Sequence, residues 1–81
     1  MPRRFHNWSY RDLTDFLRKN GFRFFKEIGG SHQHWRKEGL DGHPDKILEI
    51  YFRHGSYPQK TLRTIARKSG ISEDEWLNWN R

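Results

Sequence analysis

The apolar residues of this chain change period twice along its length, and that change restricts the folds open to it. Between Ser9 and Asn20, Tyr10, Leu13, Phe16 and Leu17 recur at helical spacing on one face, while Arg11, Asp12, Asp15, Arg18 and Lys19 share the other. From Phe22 to Arg53 the period falls to two. Phe22 to Ile28 reads as a first strand, Ser31 to Glu38 as a second and Lys46 to Arg53 as a third. The helical period then returns: Leu62, Ile65, Ala66 and Ser69 line one face, with Lys60, Arg63, Thr64 and Arg67 opposite. The expected order is α-β-β-β-α with a short helical tail. Short loops between the strands predict an antiparallel meander, and the two helices then cover one of its faces as a two-layer α+β sandwich.

Local chemistry marks the boundaries. Ser9 is placed to cap the first helix, with Asp12 in its first turn near the positive end of the helix dipole. Asn20-Gly21 supplies residues that tolerate left-handed geometry where that helix must stop. Gly29-Gly30 makes the first strand turn, and the Gly39 to Pro44 segment is loop. Ser56 is the expected cap of the second helix, with Pro58 in its first turn. Gly70 ends that helix, and Ser72-Glu73-Asp74-Glu75 reads as a capping box opening the tail with Trp76, Leu77 and Trp79. Within the second strand, Gln33, Trp35 and Lys37 point one way and His32, His34 and Arg36 the other. Leu48, Ile50 and Phe52 share a face of the third.

Eighty-one residues are enough for one domain and no more. With no cysteine there is neither a disulfide framework nor a thiolate metal site. The core must therefore come from aromatic area: four Trp, three Tyr and six Phe, each able to bury roughly 150–250 Å². Phe16, Phe22, Phe24 and Trp35 fall at core positions, whereas Trp76 and Trp79 fit either a core or an exposed patch. No segment approaches the roughly 18–20 apolar residues of a membrane span. No hydrophobic stretch follows the basic Met1-Pro2-Arg3-Arg4 to complete a secretory signal, so a cytoplasmic protein is expected. A net charge of +6 and a pI near 10.1 favour a polyanionic partner.

Four segments together carry a resemblance. Leu17-Arg18-Lys19-Asn20-Gly21-Phe22 ends the first helix in Gly-Phe. Gly30-Ser31-His32 opens the second strand, with Trp35 at an aromatic position after it. Phe52-Arg53-His54 closes the third strand, and Thr61-Leu62-Arg63-Thr64-Ile65 with Gly70-Ile71-Ser72 forms the second helix and its turn. In order and spacing these are similar to the HicA toxins of type II toxin–antitoxin systems, over residues 9 to 77. Phe52 stands where that family usually has Pro, and the Gly39 to Pro44 loop is longer and more polar than in its most compact members. The resemblance implies a fold like that of double-stranded-RNA-binding domains and cleavage of messenger RNA without a cofactor. It also implies silencing by a HicB-like antitoxin protein, and it makes His32 the catalytic histidine.

The residue types suit that chemistry. RNA cleavage requires a group that takes the 2′-hydroxyl proton and cations that hold the phosphorane charge; a histidine supplies the first near neutral pH without a metal. Ser31, His34, Arg36, Arg53 and His54 are candidates for the same RNA-binding surface as His32. Lys60, Arg63 and Arg67 form a basic stripe at i, i+3 and i+7, in a segment from Tyr57 to Ser69 that contains no Asp or Glu. Three other readings stand beside this one. His32, His34 and His54 could ligate a metal, although no acidic or cysteine ligand stands at a supporting spacing. The same fold could hold RNA and cut nothing. Or its basic face could meet an acidic protein alone, in which case no salt-dependent RNA binding is expected.

Overall fold

In a computed structural model, Phe5 and residues 7–79 are described. The basic run Met1-Pro2-Arg3-Arg4 and His6 lie outside them. The helix α1 (Tyr10–Lys19) leads into the strands β1 (Arg23–Glu27), β2 (His32–Lys37) and β3 (Lys46–Tyr51). The helices α2 (Gln59–Ser69) and α3 (Glu73–Asn78) follow. The sheet is antiparallel in the order β1-β2-β3, so the expected α+β order is the one that forms. No helix among the described residues is long and apolar enough to cross a membrane.

One face of the sheet is covered. Trp35, Leu48 and Ile50 point inward and are buried with Leu13, Phe16 and Leu17 of α1 and Leu62, Ile65 and Ala66 of α2. α1 lies across β2, where the Arg18 guanidinium sits 5.0 Å from the Trp35 ring, and α2 lies along β3. The aromatic residues at the end of the chain close this layer. Trp76 is fully buried, 4.3 Å from the Phe16 ring and 5.4 Å from Trp8, and Trp79 packs on Trp8 and Phe16. Trp76 of α3 therefore belongs to the core, and Trp79, half-buried, packs against it.

The caps explain where the helices begin. Ser9 and Asp12 form a reciprocal capping box, each side chain accepting the other's backbone N–H. The Ser72 hydroxyl accepts from Glu75 N at 3.3 Å and starts α3. Ser56 does not cap α2. That helix begins two residues later with Pro58 at its N-cap, held by the ring's fixed φ of −60° and without a side-chain bond. Gly70 ends α2 at φ +76°, and Ile71 folds back into the core.

Two aromatic assignments are corrected. Phe24 faces inward opposite Trp35, yet it stays 51 % exposed on β1, an edge strand at the margin of the helix layer. β3 stops at Tyr51, so Phe52 leaves the inward stripe; it is 41 % exposed and rests against the rings of Tyr10 and His54.

A polar contact locks α1 onto the sheet. The Gln33 side-chain oxygen accepts from both the Tyr10 hydroxyl and the Trp35 indole, each at 2.9 Å. At one end of the sheet His32 pairs with Tyr51; at the other Lys37 pairs with Lys46. Lys37 lies against Gly21 and Lys46 against Gly70, the residues that follow α1 and α2. Each lysine thus sits at the negative end of a helix, which offsets the repulsion between two like charges on facing strands.

Candidate active site on the open sheet face

Alternation along β2 and β3 sends His32, His34 and Arg36 outward together with Ile47, Glu49 and Tyr51. Among the described residues no helix covers this face. The Gly29-Gly30 turn, both residues at positive φ, returns the chain so that His32 opens β2 at the sheet's end. Antiparallel register sets Glu49 directly opposite His34 and diagonal to His32. The His32 Nδ1 lies 3.1 Å from Glu49 Oε1.

That contact fixes the ring's chemistry. A carboxylate only accepts, so Nδ1 must carry the proton, and in the neutral imidazole Nε2 is then the basic nitrogen. Among the described residues nothing bonds Nε2, and the side chain is 54 % exposed. The ring of Tyr51 stands 6.3 Å away, centroid to centroid. His32 is therefore oriented on one side and open on the other.

The neighbouring candidates divide into two groups. Ser31 is exposed beside His32, and its carbonyl accepts from Phe52 N at 2.9 Å, bringing the exposed Arg53 and His54 to the same end of the sheet. His34 is half-buried between Lys26 and Glu49 on the neighbouring strands. Lys60 joins this group around the β3 edge, lining a cleft with Glu49, Tyr51 and Thr64. Arg67 and Lys60 line a second surface hollow on α2 with Arg63.

The other candidates are already paired. Arg36 holds Asp45 through two nitrogens, at 2.8 and 2.7 Å. Asp45 also accepts from Gly39 N at 2.7 Å, and these bonds, the backbone one first, hold its carboxyl below the ordinary range. Arg36 thus closes the Gly39 to Pro44 loop. Arg63 meets Glu73 of α3 at 3.2 Å, so the basic stripe receives an acid from beyond the acid-free segment. Lys60, Arg53 and Arg67 make no ion pair with any described residue.

Among the described residues no three His, Asp or Glu side chains are grouped as metal ligands, so the His32, His34 and His54 set does not assemble. Glu49 and Tyr51 are the site residues that sequence reasoning missed. Both alternate with Leu48 and Ile50 along β3, but their approach to His32 depends on the register between β2 and β3. No family model matches the chain, and no curated protein matches it.

Proposed function

We propose that this chain is a HicA-like toxin, an endoribonuclease that cleaves messenger RNA with His32 as general acid–base and is silenced by a HicB-like antitoxin protein. The observation that carries the reading is the His32–Glu49 pair on an uncovered face, with the His32 side chain 54 % exposed. Glu49 holds the tautomer. Nε2 takes the proton of a ribose 2′-hydroxyl, and the 2′-oxygen attacks the adjacent phosphorus. The bond to the 5′-oxygen breaks, leaving a 2′,3′-cyclic phosphate on one fragment. The departing 5′-oxygen takes a proton from solvent, which reaches this face freely, and His32 later returns its own proton to solvent.

Charge on the phosphorane needs cations near by. Among the described residues, Lys60, around the β3 edge, and Arg53, one residue before His54, lie near this end of the sheet without an ion pair. Arg36 and Arg63 serve structure first, through Asp45 and Glu73. Arg67 extends the positive surface along α2.

The test is incubation of the purified chain with messenger RNA, scored by fragment ends. Cleavage leaving 2′,3′-cyclic phosphates that His32→Ala abolishes, with RNA affinity retained, is the expected result. RNA binding without cutting under any condition would make the chain a non-catalytic RNA-binding module. Growth arrest on expression, relieved by a HicB-like partner, tests the toxin assignment separately.

A further inference from the structure

The open face is unusual for a solvated sheet. An antiparallel sheet with one face in water normally shows polar side chains there, yet this one displays Phe25 at 50 % exposure and Ile47 at 47 %. Phe25 reaches that face because β1 is bulged. Phe24 pairs with Trp35 and Lys26 with His34, leaving Phe25 as the extra residue. Two cations flank its ring, Arg36 at 5.6 Å and Lys26 at 5.9 Å from the centroid. From there the planar side chains Phe25, His34, His32 and Tyr51 follow one another diagonally across all three strands. Two acids reach this face among the described residues, and both are engaged, Glu49 by His32 and Asp45 by Arg36.

We propose that this face is a platform for one single strand of RNA, with a base stacked on Phe25 and the cleaved linkage at His32. The proposal rests on the nuclease reading for the position of the scissile bond. Exposed rings bordered by cations recognise base faces and phosphates together, and only an unpaired strand offers both. A duplex presents phosphates and ribose hydroxyls but keeps its base faces stacked inward. Lys26, which makes no ion pair with any described residue, favours an anion beside the ring, and this surface lies opposite the helices rather than on them.

The experiment uses a 2′-O-methyl oligouridylate about twelve nucleotides long, which cannot be cleaved, and a blunt RNA duplex of equal length. Phe25→Ala is expected to weaken single-strand binding by about tenfold or more. Phe25→Trp is expected to keep it, and the exposed position leaves the thermal midpoint unchanged. Equal binding by wild type and Phe25→Ala would overturn the platform, as would preference for the duplex. Binding of an acidic peptide at Phe25 with no RNA binding would overturn it in favour of a protein partner. The two readings fail separately. Phe25-dependent binding without cleavage of unmodified RNA removes the nuclease and keeps the platform, whereas cleavage indifferent to Phe25 does the reverse.

Discussion

Glu49 stands one strand away from His32 and meets it on the diagonal, carboxylate to Nδ1 at 3.1 Å, so that one side chain decides which nitrogen of the other is basic. Glu49→Gln replaces an obligate acceptor by an amide that can donate to Nδ1 and thereby favour the other tautomer. Cleavage is expected to fall by about tenfold or more, within the range assigned to a positioned acid–base group. RNA affinity should hold. Imidazole ¹⁵N shifts of His32 are the decisive readout, because a merely structural role for Glu49 would leave the protonated nitrogen unchanged.

Lys60 is expected to act on phosphate rather than on base. Lys60→Ala should weaken single-stranded RNA binding uniformly across sequences. The slope of log affinity against log salt should shrink by about 0.7, one phosphate contact. Arg63→Ala should change the slope less, since its guanidinium is already bonded to Glu73. Titrations at several salt concentrations separate the two.

The faces of the helices and the parity of β2 and β3 were readable from the sequence, whereas the bulge in β1 was not. Leu62, Ile65, Ala66 and Ser69 are the buried residues of α2, as their spacing required, and His32, His34 and Arg36 do share an outward face. What periodicity does not contain is distance across the chain. Asp45 neutralises Arg36 from beyond a loop, and Glu73 reaches Arg63 from the following helix. Glu49 finds His32 only through strand register. Phe24 carries the correct parity but lies on an edge, and no pattern of one strand reveals whether a helix will cover it.

Trp76 is the residue on which the small core depends most. It touches Phe5, Trp8 and Phe16, and its indole donates to Ser69 Oγ at 3.3 Å. Trp76→Ala is expected to cost about 3–5 kcal/mol. That is a large part of the roughly 5–15 kcal/mol holding a typical domain together. Urea denaturation should show an early midpoint, with Trp76→Phe intermediate.

Gln33→Leu tests the polar lock beneath α1. The change strands the Trp35 indole N–H in the interior and releases the Tyr10 hydroxyl. A loss of about 1–3 kcal/mol is expected, read from the urea midpoint with the slope unchanged.

Tyr57 gives the fold an alkaline limit. Burial, reinforced by Tyr10 and Tyr51, raises its pKa well above the ordinary tyrosine value of 10.0, while its hydroxyl donates to the Tyr51 carbonyl. A raised folded-state pKa means that the stabilisation is complete below the unfolded value and is lost as pH climbs from there toward the folded one. Stability should therefore decline above about pH 10, and Tyr57→Phe should flatten that decline. Thermal midpoints measured across that interval check it.

Lys37 and Lys46 mark where both long helices finish; the residues around Tyr10 and Gln59 mark where both begin, beside Tyr51 and Phe52. Two helices running the same way over one sheet add their peptide dipoles instead of cancelling them. The side chains work against that sum: Arg18, Lys19, Arg67 and Lys68 of the last turns, with Lys37 and Lys46, gather where the helices finish and offset the partial negative charge of both C-termini.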